Sequence, residues 1–124
     1  MGKRQHDTEL WNMPWFRHLT AEQKMLWLYL WDHCDNGGIW IIDFETFEYK
    51  TGLKLDESVF DAFNGKCKKI NGEIIFIREI PLRLFGQIKP GHTMYKNVND
   101  CLSKIGLSLE KLREQQPKMP EVEL

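Results

Sequence analysis

Lysine and arginine side chains collect in the second half of the chain, where they can bind the phosphates of a nucleic acid. Lys66, Lys68 and Lys69 lead into an Asn71-Gly72 pair. Cations on one surface bind phosphate through charge and counterion release, which fixes position without reading base sequence. The residues predicted to contact DNA are Lys66, Lys68, Lys69, Asn71, Arg78, Arg83 and Lys89. An alternative stays open, because lysines on an edge strand also prevent aggregation between sheets.

The formal net charge of the chain is −1, but its two halves differ in sign. Residues 32–61 contain eight acidic and two basic side chains, whereas residues 62–106 contain eight basic and three acidic ones. Such asymmetry indicates that the second segment faces a polyanion. Charges scattered over a solvated surface would give the same counts.

The sequence contains no pattern typical of a catalytic or metal site. The four histidines are scattered, the three cysteines have no CxxC spacing, and no glycine-rich phosphate loop occurs. Asp32 with Asp35, and Asp43 with Glu45, lie where helix ends are predicted, and capping explains acids at those places. We therefore expect a binding protein rather than an enzyme, with no cofactor.

The cysteines and the N-terminal residues indicate the cellular compartment of the protein. Cys34, Cys67 and Cys101 are widely spaced and odd in number, so we expect reduced thiols. The first residues lack the apolar core of a signal peptide, and no run approaches the ~18 apolar residues of a membrane span. These features predict a cytoplasmic protein.

The hydrophobic pattern predicts the elements that must position the cations. Aromatic residues at helical spacing indicate a short helix before Thr20, interrupted by Pro14. Thr20 and Gln23 have the form of a capping box, which begins a helix that is apolar on most sides. Gly37 and Gly38 are expected to end this central helix.

A strand and two further helices follow. Residues 39–42 are β-branched and aromatic, which favours a strand. Asp43 is placed to cap a helix over residues 44–51, and Asp56 a helix over residues 56–64. These two helices form a helix-turn-helix candidate. The outward surface of its second, recognition helix consists of Glu57, Ser58, Asp61 and Asn64.

A hairpin is predicted next. Residues 66–70 and 73–78 are β-prone and flank Asn71-Gly72, a pair that strongly favours a two-residue type I′ turn. After the hairpin, residues 82–91 are predicted to be irregular. A helix then resumes near His92 and ends at Gly106.

The order of these elements is that of a winged helix, in which the hairpin is the wing. We predict a mainly α-helical fold with a small β-hairpin, a winged helix-turn-helix with an extra C-terminal helix. The predicted domain covers residues 1–107, and residues 108–124 form a short helix over residues 108–113 and a disordered, proline-containing tail.

Two blocks of sequence resemble a known family. The first block is residues 26–40, with the pattern Cys34-Asp35-x-x-Gly38-Ile39-Trp40, followed by Asp43-Phe44 and Gly52; the second is Phe85-Gly86-Gln87-Ile88-Lys89-Pro90, then His92 and residues 102–107. Together they resemble the amino-terminal winged-helix domain of phage and plasmid-type replication initiators and replisome organisers. The resemblance implies DNA replication as the process, with binding to origin or single-stranded DNA and recruitment of helicase-loading proteins.

Two departures from that family keep other functions open. The predicted recognition helix carries Glu57 and Asp61 and no cation before Lys66, and an acidic helix repels phosphate. Only a short segment follows the predicted domain, where such initiators usually carry an oligomerisation or partner-docking domain. The alternatives are a protein-protein interaction module without DNA binding, acting as an adaptor or homodimer, and a transcriptional repressor.

The five tryptophans also allow two interpretations. Unpaired bases can stack on exposed indole rings, so they could form part of a single-strand site. Their helical spacing favours packing in a core instead. If several were exposed together they would mark a protein interface, and Trp11 and Trp15 are the best candidates for that role.

Overall fold

The computed structural model describes residues 4–63 and 65–115. The N-terminal half contains the 3-10 helix Leu10–Asn12, α1 (Pro14–Arg17), α2 (Ala21–His33), strand β1 (Ile39–Ile41), α3 (Phe44–Thr51) and the 3-10 helix Glu57–Phe63. The C-terminal half contains the hairpin strands β2 (Lys68–Ile70) and β3 (Ile74–Phe76), the π-helical turn Ile80–Leu84, α4 (Tyr95–Ser103) and α5 (Leu109–Gln115). The described part is mainly helical with a small antiparallel sheet. None of its helices has the length and apolar character needed to cross a bilayer.

Helix α2 begins where the sequence predicts. The Gln23 amide donates to Thr20 Oγ1 (3.1 Å), and the Thr20 amide donates to Gln23 Oε1 (2.9 Å). The capping box is thereby confirmed, and two amides of the helix start that have no partner within the helix are satisfied by it.

One core consists of aromatic rings packed around α2. Trp27 packs edge-to-face on Phe63 with ring centroids 5.2 Å apart, and Tyr29 packs on Phe47 at 5.0 Å. All four residues are buried. Aromatic pairs of this kind contribute ~0.5–1.5 kcal/mol each beyond their buried area. This aromatic core of Trp27, Tyr29, Phe47 and Phe63 joins α2, α3 and the 3-10 helix Glu57–Phe63.

Helix α2 ends at His33, before the two glycines that were expected to end it. A tight turn that requires a glycine then connects α2 to β1. Asp35 Oδ1 accepts from the amides of Gly37 (2.9 Å) and Ile39 (3.0 Å). Gly38 has a φ of 78° and accepts at its carbonyl from the Ile77 amide (2.7 Å). A Cβ on Gly38 would overlap the Ile77 carbonyl oxygen. Only glycine combines this backbone conformation with so close an approach.

The three strands form one antiparallel sheet in the order β1-β3-β2. Trp40 lies opposite Ile75, and Ile39 lies opposite Phe76. Because side chains alternate along a strand, these two pairs point to opposite faces of the sheet. Trp40 and Ile75 pack against the aromatic core. The other face packs against the two C-terminal helices in a second cluster, here called the aliphatic core: Ile39, Phe76, Val98, Leu102, Leu109 and Leu112.

A Schellman motif places α5 beside α4. The Leu107 amide donates to the Leu102 carbonyl (3.0 Å), the Gly106 amide donates to the Ser103 carbonyl (3.0 Å), and Gly106 has a φ of 75°. The predicted cap at Gly106 is therefore confirmed. The short helix expected over residues 108–113 is present as Leu109–Gln115, and it packs in the aliphatic core. The disordered tail was predicted to begin after Arg113, but residues 114 and 115 belong to α5. The rest of the predicted tail, residues 116–124, lies outside the described residues.

The predicted recognition helix has a different form. An α-helix over residues 56–64 was expected, but the chain forms a 3-10 helix, Glu57–Phe63. Asp56 accepts at its carboxylate from both the amide (3.0 Å) and the hydroxyl (2.5 Å) of Ser58, a local turn that competes with α-helical pairing. Asn64 lies outside the described residues.

The hairpin is confirmed, but its predicted register is wrong by one residue. Asn71 and Gly72 both have positive φ (55° and 71°), as a type I′ turn requires. Ile70 nevertheless pairs with Ile74, so the loop contains three residues instead of two. Because β3 pairs with β1 as well as β2, its register does not depend on the turn alone.

Other element boundaries also differ from the predicted ones. The hairpin strands cover Lys68–Ile70 and Ile74–Phe76 instead of residues 66–70 and 73–78. The segment from Leu82 was expected to be irregular, but a π-helical turn covers Ile80–Leu84. Pro81 has no amide hydrogen to donate, which disfavours regular α-helical pairing there. Helix α4 begins at Tyr95 instead of near His92, and β1 ends at Ile41 instead of residue 42.

Candidate nucleic-acid interface

Lys68 and Lys69 lie on an edge strand and point to opposite faces of the sheet, and Lys66 precedes that strand. Among the described strands, β2 has only β3 as a neighbour. Lys68 lies opposite Phe76 of the aliphatic core, whereas Lys69 lies opposite Ile75, which packs against the aromatic core. Both side chains are exposed. The three predicted lysines therefore do not share one surface.

Three of the predicted cations line a groove between β2 and the C-terminal helices. Lys66, Lys68 and Arg78 belong to the wall of this groove, which has a volume of about 430 Å³. Its apolar lining comes from Ile70, Phe76, Ile105, Leu107 and Leu112. Gln115, the last residue of α5, lies at the same groove. We call this feature the basic groove.

Arg78 connects the hairpin to α5. Its Nη2 donates to the Leu112 carbonyl (3.4 Å), an acceptor in the C-terminal part of the short helix α5. The carbonyls of a helix C-terminus carry partial negative charge and attract a guanidinium. Arg78 thus holds one side of the basic groove together while its charge contributes to the groove.

Several predicted cations are engaged in ion pairs. Lys69 pairs with Glu57, and Lys66 Nζ lies 3.9 Å from Glu79 Oε2. Lys66 also lies over the Trp15 ring, 5.5 Å from its centroid. Exposed pairs of this kind contribute at most ~1 kcal/mol, so a phosphate can compete for the lysine. Among the ion pairs of the described residues, none includes Lys68.

Arg83 has a structural partner in the N-terminal segment. Its Nη1 lies 2.7 Å from Asp7 Oδ2, and its Nη2 lies 3.5 Å from Glu79 Oε1. The Glu9 amide and the Arg83 guanidinium both hold the pKa of Asp7 below its ordinary value. Arg83 therefore anchors the N-terminal segment and is not part of the basic groove.

The same N-terminal segment also caps α2. Arg4 Nη1 donates to the carbonyls of Trp31 (2.6 Å) and Cys34 (3.0 Å), and Trp31 Nε1 donates to the Gln5 carbonyl (2.8 Å). A guanidinium at a helix C-terminus satisfies carbonyls and complements the helix dipole. This role of Arg4 could not be predicted from the sequence, because its partners lie 27 and 30 positions along the chain.

Lys89 lies in a second depression on the other side of α5. This depression, the Lys89 notch, has a volume of about 420 Å³ and is lined by Leu82, Gly86, Gln87, Ile88, Lys89 and Arg113. Arg113 Nη2 donates to the Ile88 carbonyl (2.8 Å). Arg113 is not among the predicted site residues, although its position in the last turn of a predicted helix was a signal for it. Because Leu112 lines the groove and Arg113 the notch, the two cationic sites flank α5.

The recognition-helix surface has the wrong charge for phosphate. Glu57, Ser58 and Asp61 are exposed, and Glu57 pairs with Lys69. Hydrogen bonds from the Ser58 hydroxyl and amide hold the pKa of the neighbouring Asp56 carboxyl below its ordinary value, which keeps it ionised. Seven residues of 3-10 helix span only ~14 Å. This surface is short and anionic.

Of the tryptophans, only Trp11 presents most of its ring to solvent. Trp27, Trp31 and Trp40 are buried, which agrees with the packing interpretation. Trp15 is half-buried and packs edge-to-face on Trp27 (centroids 5.0 Å apart). Trp11 is 55% exposed, with Lys24 Nζ 5.7 Å from its ring centroid. Stacking of several bases on neighbouring indoles is therefore not available.

The cysteines are free thiols in this structure. Burial raises the pKa of Cys34 to about 12 and that of Cys67 to about 11, so both are protonated at neutral pH. Within residues 4–63 and 65–115, no three His, Cys, Asp or Glu side chains are grouped as a metal site would need.

Comparisons with protein-family models, with characterised proteins and with solved structures found no match to this chain. The resemblance to replication initiators accordingly rests on the sequence blocks quoted above.

Proposed function

We propose that this chain is a winged-helix DNA-binding module of the replication-initiator type that contacts the phosphate backbone through the hairpin side of the molecule. The observation that carries the proposal is the basic groove, where Lys66, Lys68 and Arg78 meet although they come from different parts of the hairpin. The Lys89 notch extends the same charge to the other side of α5.

The placement of cations favours backbone contacts over base reading. Lys68 and Lys89 are exposed and lie outside the ion pairs of the described residues, so they are the strongest phosphate ligands proposed. Asn71, at the exposed tip of the hairpin, is the residue proposed to enter a groove of the DNA. The recognition-helix surface offers carboxylates instead of the donors that read the major groove. We infer an affinity that depends steeply on salt and little on sequence.

The winged-helix assignment is part of the proposal. The order of helix α3, the 3-10 helix Glu57–Phe63 and the β-hairpin supports it, as does the third strand β1 that completes the sheet. The C-terminal helices differ from a minimal winged helix because they cover one face of that sheet. In this arrangement α5 and the hairpin together present the proposed DNA surface.

Fluorescence anisotropy with labelled duplex and single-stranded DNA tests the proposal. We expect saturable binding at low salt that weakens as salt rises, with a logarithmic slope of ~0.9 per phosphate contact for duplex and ~0.7 for single strands. The variant Lys68→Ala/Lys89→Ala should lower the slope by about two.

A matched control distinguishes the effect of a specific surface on DNA binding from the effect of the protein's net charge. Lys50→Ala/Lys54→Ala removes the same charge from exposed positions in the acidic segment, and it should leave the slope unchanged. Equal losses in both double variants would contradict the proposed surface. Absence of binding to either DNA at low salt would contradict DNA binding itself.

Protein binding through the acidic surface is the second candidate function. It is favoured by the exposed Glu57, Ser58 and Asp61 on a helix too short and too acidic to enter a DNA groove. The expected partner is a second copy of the chain or a basic surface on a replication protein such as a helicase loader. A concentration-dependent dimer in sedimentation equilibrium that Asp61→Lys disrupts, without DNA binding, would support this function over the first.

A further inference from the structure

The basic groove contains apolar surface that phosphate binding does not use. Ile70, Ile105 and Leu107 line it and are only partly buried. Phosphates are satisfied by cations and amides, and they gain nothing from contact with aliphatic side chains. A ligand that combines carboxylates with apolar side chains would use both parts of the lining.

The groove also borders an unpaired strand edge. Strand β2 has no neighbour on its outer side within the described sheet. Such an edge pairs readily with an extended peptide, which gains main-chain hydrogen bonds there. Lys68 and Arg78 place positive charge at the groove beside that edge, and Lys66 also lines the groove. The fitting ligand is therefore an extended segment with acidic and apolar residues.

We propose that the basic groove is a docking site for residues 116–124 of this same chain. In this segment acidic and apolar residues alternate as Glu121, Val122, Glu123 and Leu124. Pro117 and Pro120 disfavour continuation of a helix and favour extended backbone. The sequence of the segment thus matches the groove in charge, in apolar content and in backbone preference.

The segment starts at the groove. Helix α5 ends at Gln115, which lines the groove itself. Six further residues reach Glu121, and extended chain covers ~3.3 Å per residue, so Glu121 can lie up to ~20 Å from Gln115. That distance is sufficient for the carboxylates to approach Lys68. Because the segment is tethered, its effective concentration at the groove is in the millimolar range typical of short linkers.

Docking has a regulatory consequence that rests on the proposed function. DNA phosphates and the carboxylates of residues 116–124 would use the same cations, so the two would compete. Docking itself does not depend on DNA binding.

Amide NMR spectra of the full chain at low salt test the docking without any DNA. In Glu121→Lys/Glu123→Lys the groove amides of Cys67, Lys68 and Leu107 should shift relative to the wild type, while amides of α3 stay in place. The substitutions lie at least six residues beyond α5, so shifts at the groove must arise through space. Glu45→Lys/Glu48→Lys, an equal charge change on α3, should leave the groove amides unchanged.

A charge reversal completes the test. Lys68→Glu should shift the remaining groove amides as the tail variant does, and combining it with Glu121→Lys/Glu123→Lys should return them toward wild-type positions. Identical groove amides in the wild type and the tail variant would overturn the docking proposal, as would failure of the combined variant to restore them. Since no DNA is present, either result is distinguishable from failure of the proposed DNA-binding function.

Discussion

The two faces of the small sheet are covered by different kinds of packing. On one face, Trp40 and Ile75 meet the aromatic core, which is built around the thirteen-residue helix α2 with its reciprocal cap. On the other face, Ile39 and Phe76 meet the aliphatic core under the nine-residue α4 and the seven-residue α5. Large aromatic rings therefore pack on the first face, whereas aliphatic side chains of two short helices pack on the second.

This difference suggests that the aromatic side serves the stability of the fold and the open side serves binding. Within residues 4–63 and 65–115, the short helices do not cover the outer edge of β2, and the basic groove lies beside it. Cations that would be costly inside the aromatic core can stay solvated at this open side. We therefore expect substitutions on the aromatic side to act on folding and substitutions on the groove side to act on binding.

The largest expected effect is that of Trp27→Ala on the aromatic side. Trp27 is buried and packs on both Trp15 and Phe63, so its removal deletes apolar contacts and leaves a cavity. The free energy of unfolding should fall by ~3–5 kcal/mol, measured by urea denaturation followed by circular dichroism. A loss below ~1 kcal/mol would show that the aromatic core does not dominate stability.

Leu112→Ala tests the other face. Leu112 is buried in the aliphatic core, but its site borders the open groove and can relax, so we expect a smaller loss of ~2–3 kcal/mol in the same denaturation experiment. Since the Leu112 carbonyl holds Arg78, a displaced α5 should also weaken DNA binding in anisotropy titrations. Unchanged DNA binding in the folded variant would argue that α5 takes no part in the interface.

Local features of the structure could be predicted from the sequence because they depend on neighbouring residues. The Thr20–Gln23 capping box and the Asp43 cap, where the Thr46 amide donates to Asp43 Oδ1 (3.0 Å), each need only residues one helical turn apart. The positive φ values of Asn71 and Gly72 follow from the residue types themselves, because glycine has no Cβ and asparagine tolerates the left-handed region.

Features set by distant contacts could not be predicted in this way. The ion pair of Arg83 with Asp7 joins residues 76 positions apart, and the pairing of Lys69 with Glu57 depends on which face of β2 each lysine occupies. A one-residue change in the register of β2 would move each lysine to the other face of the sheet. The register of β3 depends in turn on its pairing with β1. The candidate site was therefore predicted as a list of cations, of which only Lys66, Lys68 and Arg78 meet in the groove.

Adjacent lysines provide a sharper test of the two faces. Lys68 points to the groove side, whereas Lys69 points to the aromatic side and pairs with Glu57. Lys68→Ala should lower the logarithmic salt slope of DNA binding by about one, and Lys69→Ala by less, although the two changes remove the same charge. Equal slopes in the two variants would mean that the hairpin contacts DNA without preference for the groove side.

The smallest expected effect is a change in acid stability on the aromatic side. The amide and the hydroxyl of Thr46 hold the pKa of Asp43 below its ordinary value of 3.8. Because this pKa is lower in the folded state than in the unfolded state, the carboxylate stabilises the fold above the unfolded-state pKa, and the contribution is lost as pH falls through the folded-state pKa. In the variant Asp43→Asn, the side-chain amide oxygen would accept from the same backbone amide without titrating. The urea midpoint of the wild type should therefore fall more steeply than that of Asp43→Asn between about pH 5 and about pH 3, and parallel profiles would show that the Asp43 cap does not contribute to the acid sensitivity of this side.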